Sequence, residues 1–177
     1  MGKMKTLNSS WLTSLRESIR LYANEPSASV LFLGVGQEQN GDDGAGPAVI
    51  AEIIKRKVAS GRFFFMDAGA FPENHTSGIR KLKPSIVLII DAAQMNLDPG
   101  EVRLLALEEI AGLSASTHSL PFGIIGQYLQ DEVGCRVMVL GIQPAHNLPN
   151  TSLSRVINDV VQNLAESLEA LAKEYDI

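Results

Sequence analysis

The chain has a single cysteine among its 177 residues, and this scarcity excludes two kinds of architecture. Cys135 alone cannot form an intramolecular disulfide or a cysteine-rich metal site. One free thiol fits a reducing compartment, so we expect a cytoplasmic protein. No apolar run approaches the ~18 residues that a membrane span requires. The residues after the basic start lack the sustained apolar segment of a secretory signal.

Basic charge is also in short supply. The 15 Lys and Arg residues are outnumbered by 20 Asp and Glu residues, which gives a formal net charge of −5. Nucleic-acid-binding proteins usually present a basic face, and the short basic run 55–57 would be splayed around a helix. We therefore predict no nucleic-acid partner and no insertion into a membrane.

Four apolar runs are nearly continuous rather than alternating, a pattern typical of strands buried on both faces of a parallel sheet. They are Val30–Leu33, Arg62–Met66, Ile86–Ile90 and Val137–Ile142. A shorter run, Val102–Leu105, follows a tight Asp-Pro-Gly turn. We predict it as a fifth strand that is antiparallel to its neighbour, because so short a connection cannot hold a parallel crossover.

Helical periodicity fills most of the remaining chain. The predicted helices are 9–23, 45–59, 73–82, 122–131 and a C-terminal stripe from Leu153 to Leu171, with Asn150, Thr151 and Ser152 as candidate N-caps. This alternation predicts a three-layer α/β/α fold around a twisted, mostly parallel five-stranded sheet. We predict one domain over residues 1–177, in which 1–29 form a helical extension to an α/β domain at 30–177.

Residues that can carry chemistry follow the predicted strands. The glycine-rich stretch GVGQEQNGDDGAG after the first strand holds Asp42 and Asp43, Asp91 ends the third strand, and His118 precedes a predicted helix. The carboxyl ends of parallel strands share one edge of a sheet, which is where α/β proteins bind ligands. Two carboxylates and an imidazole that meet there would suit a divalent cation such as Ni²⁺ or Zn²⁺.

Each of these residues also has a purely structural interpretation, which the pattern leaves open. Asp43 could cap the helix that begins at Ala45 by accepting from its free N–H groups. Asp91 could bond to nearby loop backbone, and His118 could be an ordinary loop residue.

Other catalytic arrangements have little support. There is no G-x-S-x-G elbow, and Gln39 occupies the third glycine position of a dinucleotide-binding fingerprint. We predict that Cys135 is a packed thiol rather than a nucleophile. His75 and His146 lie in polar segments and are predicted to face solvent.

Several motifs, in order and at similar spacing, resemble those of the hydrogenase maturation proteases. They are GVGQEQNGDDGAGPAV, MDAGAFPEN from Met66, IIDAAQMNLDPGEV from Ile89, STHSLP from Ser116 and LGIQP from Leu140. Together they span residues 30–144, and they look closest to the formate-hydrogenlyase type of the family.

The resemblance implies an aspartic-type endopeptidase that removes the C-terminal extension of a [NiFe]-hydrogenase large-subunit precursor after nickel insertion. It implies that Asp43, Asp91 and His118 contact nickel supplied by the precursor and assist peptide hydrolysis, without an organic cofactor. A non-catalytic checkpoint or chaperone that binds the nickel-loaded precursor would use the same residues and stays open as an alternative.

The resemblance also bears on two further positions. Gly69 falls where the family has a glycine near the substrate-recognition cleft. Gln37 stands where the family commonly has Asn, which tolerates left-handed backbone better, so we expect the turn to differ there.

Overall fold

A mostly parallel, five-stranded sheet with helices on both faces is the framework of the described part of the chain. The computed structural model describes residues 10–22, 25, 27–58, 60–110 and 119–175. This architecture confirms the predicted three-layer α/β/α fold.

The strands occur close to where the apolar runs predict them. They are β1 (Val30–Val35), β2 (Phe63–Gly69), β3 (Ile86–Ala92), β4 (Val102–Ala106) and β5 (Arg136–Ile142). Within the described residues, their order across the sheet is β2-β1-β3-β5-β4. β4 is antiparallel, as predicted, but its partner is β5 rather than β3, which precedes it in sequence.

The helices are α1 (Ser10–Arg20), α2 (Ala45–Lys55), α3 (Thr76–Leu82), α4 (Leu107–Ile110), α5 (Ser119–Val133) and α6 (Arg155–Tyr175), with 3₁₀ turns at Gly41–Gly44 and Pro72–His75. The short helix α4 was not predicted, and α5 begins at Ser119 instead of Phe122. The predicted caps of α6 are wrong, because the hydroxyl of Ser154 accepts from the Ile157 N–H and performs that role. None of the helices in these ranges is long and apolar enough to cross a membrane.

Both faces of the sheet are buried in apolar cores. Alternate strand residues such as Phe32 and Leu88 pack with α1, α2 and α6. Their neighbours, such as Leu33 and Ile89, pack on the other face with α3, α4 and α5. Burial on both faces explains the continuous apolar runs of β1, β3 and β5, whereas the edge strands β2 and β4 keep exposed residues such as Phe64 and Arg103.

Helix α1 is part of this core. Trp11, Leu15 and Ile19 are buried in the same cluster as α2 and α6. An ion pair of 3.0 Å between Arg16 Nε and Glu174 Oε2 joins α1 to the end of α6. The helical extension therefore packs against the sheet, and Ile19 near its end lies beside the amino ends of β1, β2 and β3.

Candidate active site

The turn after β1 folds back on itself and places Asp43. Gly36 has φ +138°, and a Cβ on it would overlap the backbone carbonyl oxygen of Asp43. The next amide, Gln37 N–H, donates to Asp43 Oδ2 over 3.0 Å. Gln37 is not among the described residues with positive φ, so glutamine meets no left-handed strain there.

Asp43 does not cap the following helix. It lies in the 3₁₀ turn Gly41–Gly44, and Gly44 is the N-cap of α2, without a side-chain cap bond. The Asp43 side chain is buried at 4% exposure. The capping alternative is therefore not the arrangement found, and the carboxylate lies at the carboxyl edge of the sheet beside the end of β3.

Asp91, near the end of β3, is the second buried carboxylate. It is 2% exposed, and its Oδ1 atom has no hydrogen-bond partner among the described residues. Burial raises the pKa of Asp91 well above its ordinary value, and the negative charge of Asp43 raises it further. A hydrogen bond from the Ala92 backbone N–H opposes both effects. The structure thus brings Asp43 and Asp91 within electrostatic reach of each other, as the strand-end argument predicted.

His118 lies outside the described residues. Helix α5 begins at the next position, Ser119. Within the ranges that the structure describes, no group of three His, Cys, Asp or Glu side chains is arranged to hold a metal ion. The metal-contacting roles of Asp43, Asp91 and His118 therefore all stay predictions, and the described residues bring together only the two carboxylates.

Gly69 ends β2 in the same region. Its φ is +56°, and its carbonyl oxygen accepts from the Gly36 N–H over 3.0 Å. A Cβ there would meet no atom within 4 Å, so backbone conformation rather than crowding favours glycine. The apolar side chain of Phe71 is 62% exposed two residues later. The role of Gly69 in substrate binding stays a prediction.

Asp42 has a role that the sequence analysis missed. Its side chain is fully buried and accepts four hydrogen bonds. Oδ1 accepts from Ser154 N over 2.6 Å. Oδ2 accepts from Ala145 N, His146 N and Ser154 Oγ over 2.8, 3.0 and 2.9 Å.

The two adjacent aspartates therefore differ in their surroundings. Burial acts to raise the pKa of Asp42, but the hydrogen bonds from Ser154, His146 and Ala145 lower it overall. A 3₁₀ turn advances about 120° per residue, so neighbouring side chains point in different directions. That geometry separates the directions of the two side chains, but which of them meets donors depends on residues 145–154.

Gln143, directly after β5, is the second residue that was missed. Its buried side chain accepts from Met95 N over 2.8 Å and Leu97 N over 3.3 Å through Oε1. Its Nε2 donates to Gln94 Oε1 over 2.9 Å. A polar residue immediately after a buried strand, in the motif LGIQP, is the signal that could have found it.

The remaining polar candidates lie apart from catalysis. Cys135 is buried, and burial raises the pKa of its thiol to about 11, which confirms the predicted packed thiol. His75 and His146 are half-buried, so the prediction that they face solvent is wrong. His146 Nδ1 is enclosed beside Gly41, since loop 145–154 folds over the glycine-rich turn.

Asp43 and Asp91 place two buried carboxyl groups close together at one edge of the sheet, where little water can screen their charges. Such a site favours a proton or a cation, because either relieves the repulsion between the charges. The orphan Oδ1 of Asp91 supplies a free acceptor. Fold and candidate site together define an α/β protein with buried acidic side chains at the carboxyl edge of its sheet, the edge where α/β proteins bind ligands.

Comparisons with known proteins identify the family. Residues 47–171 match the family described as Hydrogenase maturation protease. The Hydrogenase 3 maturation protease of Escherichia coli is 35% identical over 143 residues, which cover 78% of this chain and 88% of that protein. The chain therefore belongs to the hydrogenase maturation protease family, and it is a peptidase of hydrogenase maturation.

Solved structures agree with this assignment. The [NiFe] hydrogenase maturation protease HycI of Thermococcus kodakarensis superposes with a TM-score of 0.77 at 25% identity, covering 88% of this chain and 99% of that one. The endopeptidase HycI of Escherichia coli gives a TM-score of 0.70 at 34% identity, with 81% and 90% covered. These findings confirm the resemblance on which the sequence analysis relied.

Proposed function

We propose that this peptidase removes the C-terminal extension of a nickel-loaded [NiFe]-hydrogenase large-subunit precursor, in the cytoplasm. The observation that carries the proposal is the buried pair Asp43 and Asp91, with one orphan oxygen, in a member of this protease family. The assignment to the formate-hydrogenlyase type is part of the proposal.

In this proposal the nickel ion belongs to the substrate and serves as the recognition element. Asp43 and Asp91 offer carboxylate oxygens in a buried setting, and His118 adds an imidazole from the residue before α5. This mixed oxygen and nitrogen set suits Ni²⁺. Contact with the metal holds the precursor so that its scissile bond lies beside the carboxylates, and such positioning can lower a barrier by several kcal/mol.

Hydrolysis then needs a group that moves a proton. The oxygen of a water molecule bonds to the peptide carbonyl carbon, the C–N bond breaks, and a proton passes to the leaving amine. A carboxyl group with a raised pKa is suited to take the proton from water and give it to the amine. Burial and the charge of Asp43 raise the pKa of Asp91 in the metal-free protein, whereas contact with Ni²⁺ would lower it, so either Asp43 or Asp91 could move the proton.

The non-catalytic alternative, a checkpoint or chaperone, predicts binding without cleavage. Membership of a family of proteases favours cleavage. The same site would serve both functions, so the test must measure the covalent product.

The test is incubation of the purified protein with nickel-loaded and nickel-free large-subunit precursor, followed by intact-mass measurement. We expect only the nickel-loaded precursor to lose a C-terminal peptide. Asp43→Ala should lower the rate at least about 100-fold, as loss of a transition-state-stabilising group does.

The matched control is Asp159→Ala, which removes an exposed carboxylate from α6. It should cleave at the wild-type rate. Equal cleavage of both precursors would contradict recognition through nickel, and binding without any mass loss would favour the checkpoint.

A further inference from the structure

Residues 143–146, the segment directly after β5, contact both the 3₁₀ turn that carries Asp43 and the segment that follows Asp91 at the end of β3. We name this segment the brace. It leaves the sheet beside Asp91, since Gly141 pairs with Asp91 in the β3–β5 ladder. The brace then runs towards the turn that carries Asp43.

One end of the brace is fixed to the segment after β3. The Gln143 side chain holds the amides of Met95 and Leu97 and the side chain of Gln94. Its backbone is also fixed, because Gln143 N–H donates to Glu101 O over 2.8 Å and Gly100 N–H donates to Gln143 O over 2.8 Å. These bonds fix the position of residues 94–101, the segment that follows Asp91 at the end of β3.

The other end is fixed to the 3₁₀ turn of Asp43. The amides of Ala145 and His146 both donate to Asp42 Oδ2. In return, Asp42 N–H donates to His146 O over 3.1 Å. Asp42 is covalently adjacent to Asp43, so this end determines where the Asp43 carboxylate lies.

We propose that the brace sets the separation of Asp43 and Asp91, with Asp42 and Gln143 as its positioning residues. Three consecutive peptide units connect the two anchors, and a trans peptide spans about 3.8 Å between Cα atoms, so the connection is short and stiff. A shift at one anchor is therefore transmitted to the other. For catalysis this inference rests on the proposed function, but the mechanical coupling does not.

The first experiment measures the coupling directly, by amide hydrogen exchange followed by NMR on the full chain. Gln143→Met removes the side-chain bonds at one end. At the other end, Asp42→Asn removes the charge and converts one of the two acceptor oxygens into an NH₂ donor, so at least one of the four bonds is lost. We expect Gln143→Met to speed exchange about 10-fold at the Ala145 and His146 amides, which bond to Asp42. We expect Asp42→Asn to do the same at Met95 and Leu97.

A control separates this coupling from a general loss of stability. Leu164→Ala removes a fully buried side chain from the middle of α6, away from the brace. All rates are compared with that of the Leu33 amide in the central strand β1. Leu164→Ala should leave the exchange rates at these amides unchanged relative to that of Leu33. If each brace variant changes the relative rate only at the amides that its own side chain bonds to, the proposal is overturned.

The second experiment measures precursor cleavage at a temperature where every variant is folded. A displacement of about 1 Å can cost about 100-fold in rate. Both brace variants should lose about 10- to 100-fold in kcat with KM within about 3-fold of wild type, and Leu164→Ala should keep its kcat. Because both residues act through one segment, the double variant should lose less than the product of the single losses.

The outcomes distinguish this inference from the proposed function. A wild-type protein that cleaves nothing would refute the proposed function, while the exchange ratios would still decide the coupling. If the wild type cleaves the precursor and the brace variants keep its kcat, the positioning role is refuted. A double variant whose loss in kcat equals the product of the two single losses would also refute it.

Discussion

Asp42 and Asp91 are both buried carboxylates, but their surroundings differ in the number of hydrogen-bond donors and in the neighbouring charge. Asp42 accepts four hydrogen bonds, and its pKa falls below the ordinary value despite burial. Asp91 has an oxygen without a partner and a second carboxylate nearby, and its pKa is raised. The difference teaches that hydrogen bonds from the fold stabilise the charge of Asp42, while the burial of Asp91 carries a cost that the proposed function would explain.

The most severe test of this comparison is Asp91→Asn. The amide keeps the shape of the side chain but cannot supply a carboxylate, so precursor cleavage should fall at least about 100-fold. Stability should be unchanged or higher, because the variant buries no charge. Cleavage kinetics and urea unfolding together check it. A variant that is less stable than wild type would show that Asp91 is a structural residue like Asp42.

The pH dependence of stability should show the two carboxylates acting with opposite sign. For Asp42 the folded pKa lies below the ordinary 3.8, so its stabilisation is present above that pH and is lost as the pH falls through the folded pKa. For Asp91 the folded pKa lies above 3.8, so stability declines as the pH rises from 3.8 through the folded pKa. Each group contributes a slope of at most about 1.4 kcal/mol per pH unit.

Urea unfolding of the metal-free protein across the pH range separates these contributions. The gain of Asp91→Asn over wild type should grow as the pH rises above about 4. The deficit of Asp42→Asn should shrink as the solution becomes more acidic. The difference in unfolding free energy between variant and wild type should therefore vary with pH in opposite ways for the two variants. The same pH dependence for both would mean that the contrast between the surroundings of Asp42 and Asp91 is wrong.

The smallest effect is expected at Ser154→Ala. The hydroxyl donates to Asp42 and accepts from the N–H of Ile157, so its loss removes one of the four bonds and the cap of α6. We expect a loss of about 1 kcal/mol in the free energy of unfolding, measured with urea. Cleavage should stay close to wild type, since the two amides of the brace still bond to Asp42. Loss of activity as large as that of Asp42→Asn would show that the hydroxyl, not the brace, positions the turn.

Much of the fold could be predicted because its signals are local. Strands buried on both faces are apolar throughout, and the turn before β4 showed that this strand reverses direction. The partner of β4 could not be predicted, because pairing with β5 depends on contacts with residues more than 30 positions away. The N-cap of α6 was misplaced for a similar reason, since Ser154 is selected in part by its bond to Asp42.

The candidate site likewise contains residues that could be predicted from the sequence and residues that could not. Asp43 and Asp91 could be nominated because each follows a predicted strand and parallel strands end at one edge. Gln143 could have been noticed as a polar residue directly after a buried strand, but the partners of Gln143 and Asp42 could not be predicted, because they are distant in sequence. Ala145, for example, is 103 positions from Asp42.

The sequence by itself determined the layers, the direction of the parallel strands and the edge at which acidic residues gather, because hydrophobic periodicity and turn chemistry act over a few residues. Only the tertiary structure decided which of two adjacent aspartates is saturated with donors and which faces a second charge. That choice depends on backbone N–H groups from the far end of the chain, and these arrive only when β5 and α6 are in place.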